Sequence, residues 1–350
     1  MKIVGIGIIA FFLVVLQMLI YKRIWSKNLY VSISFCQDAI YEGDEGQLVE
    51  VIENRKWLPL PMLKVKFQTS RNLGFEAEKG SKTTDQYYRN DIFQVGSGEK
   101  ITRRLKFTGN RRGYYRINNI DLVSSDLFFL NEDGKSQSTN QYIYVYPGIY
   151  HEEDFRLSLQ KLNGEIIVKR HMLEDPFEYR GIREYQPFDD IRSVNWKATA
   201  RTGDLKVNQK NYTATQTIRI FLNLEDDGIL KKENQIEKSI QMAMGIAEFF
   251  LAQGVRVSCF ANGRDILTDD LVEIQGLSGT AQLEVLGKAL ARLAISKGVP
   301  AFVPMFREKV LNESDSFFTF FISPNGYEDF MKLLEECENQ GMNYHWYYVE

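Results

Sequence analysis

The sequence predicts a multidomain protein with an N-terminal transmembrane helix, a β-sandwich and a C-terminal α/β domain whose sheet is mainly parallel. Three observations predict this order. An apolar stretch opens the 350-residue chain, segments with a period of two follow it, and strand-like and helix-like segments then alternate to the end. The predicted boundaries are 1–27 for the anchor, 28–150 for the sandwich, 151–215 for a joining segment and 216–350 for the α/β domain.

The predicted transmembrane helix runs from Ile3 to Tyr21, and Gln17 is its only strongly polar residue. About 19 helical residues cross roughly 28 Å, which is close to the thickness of the hydrocarbon core of a bilayer. A secretory signal peptide would need a shorter apolar run followed by a small-x-small cleavage site, and no such site follows Tyr21. The sequence therefore predicts an uncleaved, single-pass anchor.

Basic residues on the two sides of this span predict its orientation. Lys22, Arg23 and Lys27 follow the apolar run, whereas only Lys2 and the terminal amine precede it. Under the positive-inside rule, the more basic flank stays in the cytoplasm. We therefore expect a protein of the cell membrane whose large body is cytoplasmic.

Composition narrows the function classes. Hydrophobic residues make up 44% of the chain and charged residues 25%, so a packed core is expected. The formal net charge of -3 gives no strongly basic surface, so nucleic acid is not an expected partner. Cys36, Cys259 and Cys337 cannot all pair with one another, and the three histidines are scattered. Neither a disulfide framework nor a histidine metal site is expected, and no cofactor is predicted.

Segments of alternating polarity fill the region 28–150. Leu29 to Phe35, Leu63 to Phe67 and Tyr142 to Tyr146 each place apolar or aromatic side chains at every second position. Clusters of Gly, Asp and Asn separate such segments, and no long helical period intervenes. Short antiparallel strands with this punctuation favour a β-sandwich of the immunoglobulin-like kind.

The region after residue 216 alternates strands and helices. Because parallel neighbours need crossover connections, this alternation predicts a mainly parallel sheet with helices on both faces. The predicted strands are Thr217 to Leu224, Val255 to Phe260, Ser316 to Ile322 and Tyr344 to Val349, and the predicted helices are Ile236 to Phe250, Leu283 to Leu293 and Tyr327 to Cys337.

Ligands of such sheets bind beyond the carboxyl ends of the strands. The polar residues expected at that edge are Asn223, Glu225, Asp226, Asp227, Asn262, Ser323 and Asn325. Glu225, Asp226 and Asp227 are candidate ligands for a divalent cation, because their carboxylate oxygens suit Mg²⁺ or Ca²⁺. The alternative is a solvated acidic loop that precedes a helix N-terminus.

The stretch from Asp175 to Gln209 interleaves Arg, Asp, Tyr and Trp and alternates the sign of its charges. Arginine and carboxylate side chains in this pattern can form bidentate pairs that fix a domain edge. The residues expected to act in structure or in recognition are Arg183, Tyr185, Asp189, Asp190, Arg192, Trp196, Ala200 and Arg201. A structural role predicts that alanine at Trp196 or Arg192 lowers the stability of the soluble body.

The stretch from Arg183 to Arg201 resembles the pattern R-x-Y-x-x-G-D-x-x-R-x-I-D-W-x-x-x-A-R of a bacterial family called domain of unknown function 58. The segment Ser125-Asp126-Leu127-Phe128 is similar to the family's β-rich region. Two positions depart from the pattern, since Phe188 stands in place of the glycine and Asn195 in place of the aspartate before Trp196.

The resemblance implies a final domain similar to von Willebrand factor A and a partner that is an AAA+ ATPase of the MoxR type. Domains of that kind often hold a metal through an Asp-x-Ser-x-Ser motif after the first strand. Here the equivalent stretch begins at Asn223 and lacks the first Asp and both Ser, so no metal ligand is carried over.

No motif of a known catalytic class is present in the sequence. Asp189 and Asp190 could act as paired carboxylates, but nearby arginines make ion pairing the simpler role. The sequence therefore predicts a non-enzymatic, membrane-anchored binding or assembly module that works with a MoxR-type AAA+ ATPase in complex assembly or cell-envelope maintenance. The alternative is an adhesion-like receptor that depends on a divalent cation.

Overall fold

The computed structural model describes residues 2–75, 82–83, 86–172, 179–187, 189–210, 217–225, 233–277, 279–295, 298–310 and 317–349. The chain divides into two compact units, Met1–Gly148 and Ile149–Glu350. Strands dominate the first unit, and strands alternate with helices in the second. The body is therefore rich in β-structure with several sheets, and one long apolar helix precedes it.

Helix α1 (Lys2–Ile24) contains the apolar segment predicted as an anchor. Residues Ile6–Ile24 have a mean hydropathy of 1.9, so by length and composition this helix can cross a membrane. Its burial is one-sided, and the buried or half-buried residues on its second half include Val14, Gln17, Met18, Tyr21 and Trp25. Because these positions follow helical spacing, one face of α1 is covered by the first unit and the others are exposed.

Strands β1 to β10 form two sheets in the first unit. Their bounds are β1 (Leu29–Phe35), β2 (Ala39–Tyr41), β3 (Glu45–Asn54), β4 (Leu60–Ser70), β5 (Leu73–Phe75), β6 (Lys82–Thr83), β7 (Gln86–Val95), β8 (Lys100–Gly109), β9 (Gly113–Ser125) and β10 (Glu132–Tyr146). One sheet has the order β1-β3-β8-β5, and the other has the order β2-β10-β9-β4-β7-β6. Neighbouring strands are antiparallel, except that β10 runs parallel to β2.

Both sheets contribute to one hydrophobic core. Ile33, Leu48 and Phe107 come from the first sheet, Val65 and Ile120 come from the second, and all five are almost fully buried. Buried and more exposed positions alternate along β3 and β4, as the period of two in the sequence predicts. Two sheets that share an internal core in this way form a β-sandwich.

A buried cluster of charged side chains links the two sheets of the sandwich. Glu50 on β3 and Arg103 on β8 are cross-strand neighbours, and the Arg103 Nε atom donates to Glu50 Oε2 at 2.8 Å. Arg103 also pairs with Asp91 on β7 of the other sheet, and Arg89 Nε donates to Asp91 Oδ2 at 2.6 Å. Burial raises the pKa of Glu50 to about 7, Arg103 opposes this shift, and Asp91 adds to it.

We expect the first unit to lose stability between pH 5.5 and pH 8. The raised pKa means that folding favours protonated Glu50, so this contribution is full below the ordinary carboxyl pKa and is lost as pH rises through about 7. The loss should be roughly 2 kcal/mol. Denaturant-dependent hydrogen exchange of β3 and β8 in the detergent-solubilised chain measures it.

Glu50→Gln should remove this pH dependence, because glutamine is neutral throughout the range. The matched control is Glu45→Gln on the same strand, where the side chain is 70% exposed. The control should keep the wild-type dependence. Equal slopes for wild-type and Glu50→Gln would show that Glu50 does not titrate in this range.

The second unit contains helices α2 to α7 and strands β11 to β18. Their bounds are α2 (Glu153–Met172), β11 (Tyr179–Glu184), α3 (Trp196–Thr202), β12 (Lys206–Lys210), β13 (Thr217–Leu222), α4 (Glu233–Leu251), β14 (Arg256–Asp265), β15 (Leu271–Leu277), α5 (Thr280–Arg292), β16 (Leu293–Ala294), α6 (Phe302–Val310), β17 (Phe317–Ser323), α7 (Glu328–Asn339) and β18 (Asn343–Tyr348). A 3-10 helix, Ile191–Ser193, lies between β11 and α3.

The main sheet of the second unit has the order β15-β14-β13-β17-β18, and β16 pairs with β14. Strands β14, β13, β17 and β18 are parallel, as predicted, whereas β15 is an antiparallel strand at the edge. Ile220, Phe221 and Phe321 are fully buried, which fits a sheet covered on both faces. The sequence-based reading missed α2, β15 and α6.

Candidate functional site

The segment that carries the sequence motif folds as a small module of its own. Strands β11 and β12 pair antiparallel, and the chain between them forms the 3-10 helix and α3. Val194 forms a single β-bridge with Val207, and both side chains are buried. The module is therefore a two-stranded ribbon that holds one short helix beside it.

Arg183 and Asp189 form the bidentate pair that the motif predicts. Arg183 Nη1 donates to Asp189 Oδ2, and Arg183 Nη2 donates to Asp189 Oδ1, both at 2.6 Å. The backbone N–H of Gln186 donates to the same carboxylate at 2.8 Å. The bonds from Arg183 and then from Gln186 lower the pKa of Asp189. This pair closes the loop after β11 and keeps Asp189 ionised at neutral pH.

Asp190 has a different task from its neighbour. Its Oδ1 atom accepts from the backbone N–H of Arg192 at 3.0 Å, and its carbonyl accepts from the Ser193 hydroxyl at 2.6 Å. Asp190 is therefore the N-cap of the 3-10 helix. Asp189 and Asp190 are each committed to local bonds and do not form a paired-carboxylate site.

Asn195, which stands where the family pattern has aspartate, is the N-cap of α3. Its Oδ1 atom accepts from the Ala198 backbone N–H at 2.9 Å, and its Nδ2 atom donates to Asn208 Oδ1 on β12 at 2.6 Å. Gly203 ends the helix with φ +82°, a conformation that favours glycine. One amide side chain thus starts α3 and ties it to the ribbon.

Replacing Asn195 with alanine should loosen α3, because one N-cap contributes about 1 kcal/mol. Backbone amides in residues 196–202 should then exchange with deuterium about fivefold faster than in wild type. Asn195→Asp is the matched control, because its carboxylate keeps the capping acceptor and restores the family residue. Equal exchange rates for Asn195→Ala and wild type would rule out the cap as the source of order.

The outward face of α3 consists of Trp196, Lys197, Ala200 and Arg201, all of which are exposed. The expectation that Trp196 stabilises the body by packing is wrong, because its side chain is 65% exposed. Arg192 is exposed as well and forms no ion pair with any side chain in the described ranges. Tyr185 is half-buried, and its backbone N–H donates to the Leu205 carbonyl at 2.9 Å.

Apolar side chains of the same module are also exposed. Ile191 is 67% exposed and Ile182 is 54% exposed, and Leu205 on the approach to β12 is 47% exposed. The module therefore holds its backbone with internal hydrogen bonds while it presents large apolar and cationic side chains to solvent. The sequence identified Trp196 and Arg192 but did not distinguish exposed from buried motif residues.

The second candidate site is the carboxyl edge of the parallel sheet. Glu225 lies there, but its carboxylate is engaged within the fold: Oε1 accepts from the Phe302 backbone N–H at 3.0 Å, and Oε2 accepts from the Tyr327 hydroxyl. Asn325 Nδ2 donates to the Glu225 carbonyl. Asp226 and Asp227, the other predicted metal candidates, lie outside the described residues.

The remaining polar residues at this edge are brought together as predicted, and they satisfy one another. Asn223 Oδ1 accepts from Glu225 N–H at 3.0 Å and from Asn262 Nδ2 at 3.2 Å. Asn223 Nδ2 donates to Ser323 Oγ at 3.1 Å, and Asn325 N–H donates to the same oxygen at 3.1 Å. Within the described residues, no group of three or more His, Cys, Asp or Glu side chains could hold a metal ion.

The cysteines show no reactive environment in the second unit. Burial raises the pKa of Cys259 to about 12 and that of Cys337 to about 11. Both thiols are therefore protonated at neutral pH, and both are buried. Cys259 lies in β14, where the sequence predicts a packing role.

Comparisons with known proteins support the motif and little else. The model of a family described as protein of unknown function DUF58 matches residues 181–265. No curated protein sequence matches the chain.

Three solved structures show weak similarity. The sporulation control protein Spo0M from Bacillus subtilis is 11% identical with a TM-score of 0.20, over 45% of this chain and 58% of that one. The CARDB domain of the PF1109 protein from Pyrococcus furiosus, solved with di-metal ions, is 14% identical with a TM-score of 0.23, over 34% and 94%. A non-cellulosomal cohesin from Archaeoglobus fulgidus is 12% identical with a TM-score of 0.22, over 37% and 96%. At these scores the three structures carry no assignment for this chain.

Proposed function

We propose that this protein is a non-enzymatic, membrane-anchored binding or assembly module that docks a protein partner on the outward face of α3. The observation that carries this proposal is the exposure of Trp196 on a scaffold whose own bonds are already made. Tryptophan and arginine are the residues most enriched where binding energy concentrates at protein interfaces. A large exposed aromatic ring on a rigid frame binds at a low cost in conformational entropy.

The partner's surface should complement both parts of this face. Trp196 and Ile191 call for an apolar pocket, and Arg192, Lys197 and Arg201 call for carboxylates at its rim. The family resemblance of residues 183–201 implies an AAA+ ATPase of the MoxR type, acting in complex assembly or cell-envelope maintenance. We adopt that ATPase as the proposed partner.

We further propose that the second unit is a von Willebrand factor A-like domain. Its parallel strands, its central β13 and its antiparallel edge strand β15 support this reading. The Asn223, Ser323 and Glu225 contacts favour a fold in which hydrogen bonds within the chain stand where a metal would be held in such domains. The adhesion-like receptor that depends on a divalent cation receives no support from the described residues.

The proposed anchor is α1, and the proposed location of the body is the cytoplasm. The exposed Lys22, Arg23 and Lys27 at the end of the helix support this orientation. A catalytic role finds no support, because Asp189, Asp190 and Cys259 are each committed to structural contacts.

Site-specific crosslinking in native membranes tests the proposed partner. A photoreactive amino acid at Lys197, on the α3 face, should capture an AAA+ ATPase that mass spectrometry identifies. The matched control is the same group at Lys332 on α7, which is exposed at 57% in the same unit. Capture of the ATPase at both positions or at neither would contradict docking on α3, and recovery of only extracytoplasmic proteins at Lys197 would overturn the orientation as well.

A further inference from the structure

The end of the sandwich nearest α1 can be identified from the strand register. Strand β1 begins at Leu29, shortly after α1, and Leu29 pairs with Asn54 at the end of β3. Asn54 Nδ2 donates to the Leu58 carbonyl at 2.9 Å, just before β4 begins. Met62 near the start of β4 pairs with Ser125 at the end of β9. The turn between β9 and β10 therefore lies at the same end of the sandwich as α1.

That turn exposes four consecutive apolar side chains, Leu127–Leu130, which we call the apolar tip. Phe128, Phe129 and Leu130 are each exposed at 57–59%. The loop after β3 adds Trp57, which is 69% exposed at the same end. Four large apolar residues in a row, with a tryptophan close by in the fold, form an unusual surface for a soluble domain and indicate an apolar neighbour.

The backbone of the apolar tip is held in one shape. Asp126 is buried, and its Oδ1 atom accepts from the backbone N–H of Phe128 at 3.1 Å and of Leu130 at 2.9 Å. Phe129 N–H donates to the Asp126 carbonyl at 3.1 Å. Phe129 has φ +58°, a left-handed conformation that is uncommon for a bulky residue. The fold therefore keeps the tip exposed at a cost in backbone strain, which points to a role for it.

Contacts with α1 give the depth of the tip. The Tyr21 and Ser124 hydroxyls hydrogen-bond at 2.7 Å, and Ser124 Oγ donates to the Met62 carbonyl at 3.0 Å. Tyr21 lies within the segment Ile6–Ile24 that can cross a membrane. The end of β9 is therefore level with the last turn of that segment, and the tip continues the chain beyond it.

The burial pattern of α1 extends this argument. Val14, Gln17 and Met18 lie one to two turns closer to the N-terminus than Tyr21, yet they are half-buried. At about 1.5 Å per residue, Val14 lies about 10 Å further along the helix axis than Tyr21. Part of the first unit therefore reaches alongside the apolar segment itself.

We propose that the apolar tip, with Trp57, inserts into the interfacial layer of the bilayer that α1 spans. This inference rests on the proposed anchoring of α1, which sets the position of the bilayer. Leucine and phenylalanine suit the boundary between headgroups and acyl chains, and tryptophan is enriched there. The exposed Lys22, Arg23 and Lys27 would face anionic headgroups at the same level. The first unit would then be seated on the membrane surface by two contacts, the helix and the tip.

Fluorescence of the full-length chain in lipid nanodiscs tests this proposal. The polarity-sensitive label NBD is attached at Phe128→Cys in a Cys36→Ser background, because Cys36 is the exposed cysteine and Cys259 and Cys337 are buried. The control is the label at Glu45→Cys, which is exposed at the opposite end of the sandwich. Label at position 128 should emit at shorter wavelength than label at position 45 and lose about half its intensity with nitroxide-bearing lipids, as expected for interfacial depth. A second label at Leu130→Cys should behave like that at position 128.

Alkaline carbonate extraction of native membranes separates the two failures. Release of the chain would overturn the anchor and with it the frame of this inference. Retention of the chain with water-exposed label at positions 128 and 130 would overturn the inference alone. Shielding of both labels in native membranes but not in nanodiscs would assign the tip to a protein partner and would also overturn lipid insertion.

Discussion

Replacing Trp196 with alanine is expected to abolish capture of the partner while the fold stays intact. The ring is 65% exposed, so its removal changes little buried surface, and the free energy of unfolding should shift by less than about 0.5 kcal/mol. A tryptophan that anchors an interface contributes about 2 kcal/mol or more, so affinity should fall by about 30-fold or more. Crosslinked capture from native membranes and denaturant unfolding of the purified chain measure the two quantities.

The matched control for this prediction is Met331→Ala. Met331 is an exposed apolar residue on α7 of the same unit, and it lies outside the motif. Its replacement should change neither capture nor stability. If Trp196→Ala instead lowers the stability by more than 1 kcal/mol, Trp196 packs against the body in solution and the docking role loses its main support. Unchanged capture would remove Trp196 from the interface.

Glu225→Ala should destabilise the second unit by about 2–4 kcal/mol, the expected loss for a charge-assisted hydrogen bond at a helix N-terminus. The carboxylate accepts from the N–H of Phe302, the first residue of α6, and from the Tyr327 hydroxyl before α7. One side chain thus ties the end of β13 to two helices. Denaturant unfolding followed by hydrogen exchange of α6 and α7 measures the loss.

Glu225→Gln distinguishes this structural role from metal binding. The glutamine carbonyl still accepts from Phe302 N–H, so most of the stability should remain, and calorimetric titration of wild type with millimolar Mg²⁺ or Ca²⁺ should give no binding heat. A metal site would behave differently: wild type would bind and gain stability with the ion, and Glu225→Gln would lose both effects. That outcome would favour the receptor alternative.

Local sequence patterns predicted the elements that local physics determines. The apolar run predicted α1, alternation predicted β1, β4 and β10, and helical spacing predicted α4, α5 and α7. Helix α2 was missed because the motif drew the whole stretch 151–215 into a joining segment, although Phe155, Leu159 and Ile166 recur at helical spacing and are buried. The antiparallel edge strand β15 follows from no local signal that distinguishes it from a parallel one.

The site was predictable in its members but not in its contacts. The Arg183–Asp189 pair spans six residues and could be anticipated from the motif. The partners of Glu225 lie 77 and 102 residues away along the chain, so only the fold reveals that its carboxylate is engaged. The exposure of Trp196 was also hidden, because an aromatic residue after a capping position is equally compatible with packing and with recognition.

The amide cap of α3 has a consequence for the conditions under which the α3 face is available. An aspartate in that place would titrate, and acid would weaken the start of the helix, whereas Asn195 has no ionisable group. Asp189, the carboxylate that closes the preceding loop, has a pKa held below its ordinary value by Arg183. Neither contact changes its protonation near neutrality. Presentation of Trp196 should therefore be constant across the pH range of a living cell, and control of docking would have to come from the partner.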